Sequence, residues 1–143
     1  MTTLDTDRQP GELGHTTDHD ILHIAHSRSL IVLGREGILI APDIGALRIR
    51  WPFPITIVGI TMACGTAPTG NSIKCDFNKN GTTIYTTQAN RPTIAAGANA
   101  TVSPPLPDIT AFAAGDYLTM DVDQVGSTAA GADLTAMIQY EAA

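Results

Sequence analysis

The stretch Ser72 to Thr87, SIKCDFNKNGTTIYTT, constrains the fold more tightly than any other part of the chain. Ile73, Cys75 and Phe77 alternate with Ser72, Lys74 and Asp76, the period of a strand with one apolar face. Asn80-Gly81 then supplies two residues that tolerate positive φ, as the tight turn of a hairpin requires. With those two as the loop, Phe77 falls opposite Ile84 on the buried face, while Asp76 and Tyr85 share the other. A hairpin alone is marginal in water, so this one commits the residues around it to a larger antiparallel sheet.

The remaining sequence from Arg35 onward agrees. It reads as short strands punctuated by Gly and Pro, the pattern of an all-β sandwich or barrel. GILIAP and GALRIRWP are brief strand candidates, each stopped by a proline. In PITIVGITMAC, Ile55 and Ile57 point one way under strict alternation, and Val58, Ile60 and Met62 the other. A strand apolar on both faces lies between two packed layers or at a subunit interface, so Ile57 and Ile60 are expected to reach across subunits. In DYLTMDVDQV, Leu118, Met120 and Val122 face inward against Thr119, Asp121 and Asp123. In DLTAMIQYE, Leu134, Ala136, Ile138 and Tyr140 oppose Thr135, Met137, Gln139 and Glu141. The Pro-, Ala- and Gly-rich run from Arg91 to Gly115 reads as a long loop crossing the end of the sandwich. The expected fold is mainly β, a jelly-roll-like antiparallel β-sandwich over 36–143, preceded by an extended arm and a short amino-terminal helix.

At 143 residues the chain is the size of one domain able to bury its own core. Charged residues make up only 15% of it and the formal net charge is −6, with five of the eight Lys and Arg before Trp51. No basic patch marks a nucleic-acid footprint, so nucleic acid is not an expected partner. No window reaches the roughly 18–20 apolar residues that cross a bilayer, and the start MTTLDTDRQPGEL is acidic where a signal peptide is basic and then apolar. Neither membrane insertion nor export is expected. Cys64 and Cys75 lie in strand-like runs without CxxC spacing, and read as buried free thiols in preference to a bridge.

Residues 1–14 are polar, contain Pro10, Gly11 and Gly14, and read as an extended arm ordered against a partner. The segment 15–35 reads as helical and devoted to assembly, its helix capped by Thr17 or Asp18 and running to about Arg28. All four histidines lie here, at His15, His19, His23 and His26, spaced four, four and three. On a helix they span an arc of about 80°. HExxH chemistry fails because Asp20 follows His19 where the general-base Glu would stand. A heptad register instead places His15, His19, Leu22 and His26 at the positions that meet in a parallel coiled coil. An assembly seam is therefore expected, with Ile21, Leu22 and Ile24 adding buried contacts. A solvated polar helix and a metal-binding stripe are the alternatives.

A resemblance narrows the function. TTDHDILHIAHSRSL, with Asp18, His19, Leu22 and His23, resembles the short Asp-His-x-x-Leu-His segment near the start of many tailed-phage tail-fibre and minor tail proteins. The second half is similar to a β-sandwich module of phage structural proteins. The similarity rests on Gly65-Thr66-Ala67-Pro68-Thr69-Gly70, Asn78-Lys79-Asn80-Gly81-Thr82-Thr83-Ile84, Gly115-Asp116-Tyr117-Leu118 and Asp121-Val122-Asp123-Gln124-Val125-Gly126. The resemblance implies a trimeric virion structural protein, assembled in the host cytoplasm and acting in attachment or decoration, with no catalytic residues and no cofactor. Expected partners are further copies of the chain, other virion proteins of the tail tip or capsid, and a host surface glycan. A long receptor-binding fibre would carry more chain beyond this module than the end at Ala143 leaves, which favours a short tail-tip component, with capsid decoration or a head fibre as the alternative and a carbohydrate-binding module acting on the host envelope as a third reading. Three weaker candidates complete the reading: Asp116, Asp121 and Asp123 as calcium ligands, set against a solvated strand face; Trp51, Tyr85 and Tyr117 as a sugar platform, set against a packing anchor; and a hydrolase triad, for which no GxSxG exists.

Overall fold

A computed structural model describes residues 28–143. The arm and the helical segment up to residue 27 lie outside them. Nine strands follow in order: β1 (Ser29–Ile38), β2 (Asp43–Arg50), β3 (Ile55–Thr66), β4 (Ile73–Lys79), β5 (Thr82–Thr83), β6 (Thr93–Ile94), β7 (Ala111–Phe112), β8 (Tyr117–Gln124) and β9 (Ala132–Ala142). A single 3₁₀ turn, Gln88–Asn90, is the helical element among the described residues. The domain is mainly β and antiparallel, as expected. Its first strand starts at Ser29, inside the 15–35 segment and directly after the expected helix end near Arg28. The β-branched and leucine run LIVLG decides the matter, because it pairs with β9 from Ser29↔Tyr140 to Ile38↔Ala132.

Two sheets divide the strands. One has the order β1-β9-β3-β7; the other has the order β2-β8-β4-β5, with β6 also paired to β4. One core serves both. Ile55, Ile57, Ile60, Met62, Leu134, Ala136 and Ile138 come to it from the first sheet, and Ile73, Cys75, Phe77, Leu118, Met120 and Val122 from the second. Trp51 closes one end of this core, 1% exposed, with its ring edge-on to Tyr140 at 4.8 Å and to Phe112 at 6.3 Å. Arg35 and Asp43 close another part of the boundary with a 2.9 Å ion pair.

The hairpin forms as read. Asn80 (φ 50°) and Gly81 (φ 88°) make the turn, Asn78 pairs with Thr83, and the Ile84 N–H donates to the Phe77 carbonyl at 2.9 Å. The run after it is not a simple loop. It pairs with β4 through β6, crosses to β3 where Ala100 bridges Ala63, and returns so that the Asp108 N–H donates to the Ile84 carbonyl. It then adds β7 to β3. Arg91, from that run, covers Asp76, and Asn78 donates its Nδ2 to Asp121 at 2.9 Å, so two residues that simple alternation places on a solvated face are only 6% and 9% exposed.

The two-sided reading of β3 is corrected. The ladder with β9 runs Ile138↔Ile60, Gln139↔Gly59 and then Tyr140↔Ile57, skipping Val58. That β-bulge inserts one extra residue and inverts the alternation halfway along the strand. Ile55 and Ile57 before it, and Ile60, Met62 and Cys64 after it, therefore face the same core. Ile57 and Ile60 are each 1% exposed within a single chain and have no surface left to offer a second subunit.

Candidate interaction surfaces

The histidine stripe and its companions, His15, His19, Ile21, Leu22, Ile24 and His26, lie outside the described residues, so the structure brings none of them to a site. The surfaces that the structure does describe were largely invisible in the sequence.

The first is the turn between β1 and β2. Ile38, Ile40 and Ile44 are 77%, 58% and 73% exposed, within seven positions of one another. Leu39 anchors the turn from between them, buried, with its N–H donating to the Gly131 carbonyl at 3.0 Å. Alternation about that anchor forces Ile38 and Ile40 outward. At the other end of the turn, Gly45 (φ 64°) adopts a conformation that side chains rarely reach, and its N–H donates to Asp121 Oδ1. The turn stands between two concavities. One, of about 470 Å³, lies beside Ile38 and is lined by Thr66 and the 128–132 loop. The other, of about 220 Å³, lies beside Ile44 on the outer face of the second sheet, over Asn78, Thr119 and Asp121. There the Arg48 guanidinium sits 4.4 Å from the centre of the Tyr117 ring. The signal in the sequence was the Ile-Leu-Ile triplet of GILIAP, read there as a strand of its own.

The second surface is the outer face of the first sheet. Leu30, Gln139 and Gly59 form one rung across three strands, Val32, Met137 and Thr61 the next, and Gly34, Thr135 and Ala63 the third. Nine residues in register carry no charge.

The carboxylates proposed for calcium are spent on the fold. Asp121 accepts from the Gly45 N–H and from Asn78 Nδ2 at 2.9 Å; Asp123 pairs with Arg91 at 2.9 Å; Asp116 accepts from Asn80 Nδ2 and the Ala113 N–H, each at 2.8 Å. Those bonds hold the Asp116 carboxyl below the usual carboxylate range, the Asn80 bond contributing most. Among the described residues no group of three or more His, Cys, Asp or Glu is placed to hold a metal. The sugar platform is also corrected: Trp51 and Tyr85 are buried in the core, and only Tyr117 reaches the surface, beneath Arg48. Burial pushes the Tyr85 hydroxyl well above its ordinary pKa, with Asp76 and Asp108 adding to the effect. Cys64 and Cys75 are free and buried, one in each sheet, and burial raises both thiols. Neither is a reactive nucleophile.

No helix among the described residues is long and apolar enough to cross a membrane. No protein-family model matches the chain, and neither the curated proteins nor the solved structures yield a match.

Proposed function

We propose that the chain is a bacteriophage virion structural protein, a minor tail component of the tail tip or a short fibre, acting in assembly and host attachment. In this reading the β-domain is a jelly-roll sandwich, the histidine segment joins three copies, and the work is binding and architecture, not catalysis. The observation that carries it is the strand order. With the two-residue β6 set aside, eight strands divide four and four between the sheets, as β1-β9-β3-β7 opposite β2-β8-β4-β5. Two nested Greek keys generate that order, and such jelly rolls recur in virus shells and lectins. The phage-like motifs of the sequence supply the rest of the argument. A capsid-decoration role is favoured by a separate feature, the exposed isoleucine turn, which suits a domain seated end-on against a neighbour.

Gold-labelled antibody against the protein, applied to purified particles, tests both readings. Label at the tail tip supports the first and label over the capsid the second. Particles that carry neither label nor the chain by mass spectrometry overturn both. Saturable glycan binding by the isolated protein would add host attachment to its role.

A further inference from the structure

We infer that the uncharged outer face of the first sheet is a contact between copies of this chain, centred on Val32 and Met137. The inference rests on the self-association in the reading above and gives it a surface. Leu30 and Val32 are 53% and 56% exposed on β1, and Met137 lies beside Val32 on β9. Around them the rungs hold only Gly, Ala, Thr and Gln, so the face is flat and can be dried without stripping water from a charge. Charge appears only at its ends. Arg28 pairs with Glu141 at 3.1 Å at one end, and Glu36 and Asp133 lie at the other. An apolar centre with a polar rim is the anatomy of a protein interface.

The charge pattern selects the occupant. The chain carries a net charge of −6, four units of it in residues 1–27 and two in 28–143, so copies of the β-domain repel only weakly, and a face without charges lets them dock without leaving any charge unpaired. A basic partner would instead be drawn to the carboxylates. The position on the chain agrees: Leu30 follows directly on the segment that carries the proposed seam, so copies joined there present β1 to one another. Along β1, the edge away from β9 is unpaired among the described residues. Ser29 to Leu33 on that edge carry no charge or proline of the kind that guards an open strand.

Light scattering of the full chain across a dilution series tests the inference, with Val32→Lys, Met137→Lys and the nearly isosteric Val32→Thr compared with Leu106→Lys, at an exposed apolar residue outside the face. Circular dichroism reports whether each variant keeps its sheet. The expected result is a wild-type oligomer, loss of the oligomer in both face lysine variants, at least roughly a tenfold rise in the dissociation concentration for Val32→Thr, and no change for Leu106→Lys. A folded Val32→Lys variant with undiminished mass overturns the inference; if its mass falls only when His19 and His26 are replaced, the seam reading survives without it. A wild-type monomer at every concentration overturns both. Should the lysine variants fail to fold, Val32→Thr alone decides, since an unchanged dissociation concentration contradicts a buried Val32.

Discussion

Arg91 is the residue on which the unexpected burial of Asp76 depends. Its guanidinium reaches Asp76 at 2.8 Å and Asp123 at 2.9 Å, and its side chain is only 15% exposed. Asp76 also accepts from the Thr83 hydroxyl and the Phe77 N–H, so this carboxylate is covered and satisfied only while Arg91 is present. Removing one partner of a buried pair leaves the other charged and dry, so Arg91→Leu is expected to cost about 3–5 kcal/mol in urea unfolding, and Asp123→Asn distinctly less. Arg91→Lys cannot span both carboxylates with a single ammonium and should recover only part of the loss. Burial raises the Asp123 carboxyl above its usual range against the pull of Arg91, whereas Asp108 is lowered, first by the Thr86 hydroxyl and then by the Thr87 N–H. The signs differ. For Asp108 and Asp116 the unfolded chain takes up protons at a higher pH than the folded one. Their contribution is therefore complete above the ordinary Asp pKa of about 3.9 and lost as pH falls through the lower folded values. Asp123 works against this between its unfolded and folded values, where the folded state holds the extra proton and stability falls as pH rises. Melting temperature should drop in acid, and an Asp108→Ala variant should show a shallower drop; an unchanged slope would mean that these bonds are not what titrates.

At the scale of elements, β3 shows what the sequence could and could not say. The hairpin, the inward faces of β8 and β9, and the buried free cysteines were legible, because each depends on local alternation or on a turn with a chemical signature. The bulge at Val58 was not, because an extra residue in a ladder has no obligatory residue type, and Gly59 is its only hint. Strict alternation then assigned Ile57 and Ile60 to opposite faces, from which both were expected to reach across subunits. The burial of Asp76 was equally hidden, since Arg91, which covers it, arrives from beyond the hairpin, as was that of Asn78, which pairs with Asp121 on another strand. The corrected register makes a sharp prediction. Ile57→Ala and Ile60→Ala should each cost about 2–5 kcal/mol, because each leaves a cavity in the same core, while Val58→Ala, half-buried, should cost less. Deleting Val58 should be worse than any of these: it removes the phase inversion and turns one half of the strand inside out. Gly59→Ala should be mild, as the added carbon would meet the flexible end of the Gln139 side chain at 3.0 Å. Equal destabilisation by Val58→Ala and Ile60→Ala would contradict the bulge.

Across the whole molecule, folding and association are carried by different residues. Among the described residues, every fully buried side chain of the core cluster lies between Leu39 and Ile138. The surfaces argued for association between copies, in contrast, are the outer face of β1 with Met137 of β9 beside it, and the histidine segment ahead of β1 in sequence. A chain cut to residues 28–143 is therefore expected to unfold cooperatively, with a melting temperature close to that of the full chain measured at a concentration where neither associates. Association should respond differently. Two contacts made by the same pair of copies reinforce each other through effective concentration, and removing one forfeits the enhancement as well as the contact. If the seam and the Val32 face act together, the shortened chain should still associate, but at a dissociation concentration raised by roughly 100-fold or more. Sedimentation equilibrium on the two chains reads this directly. A shortened chain that associates as tightly as the full one would assign all of the contact to the sheet and leave the histidines no part in it.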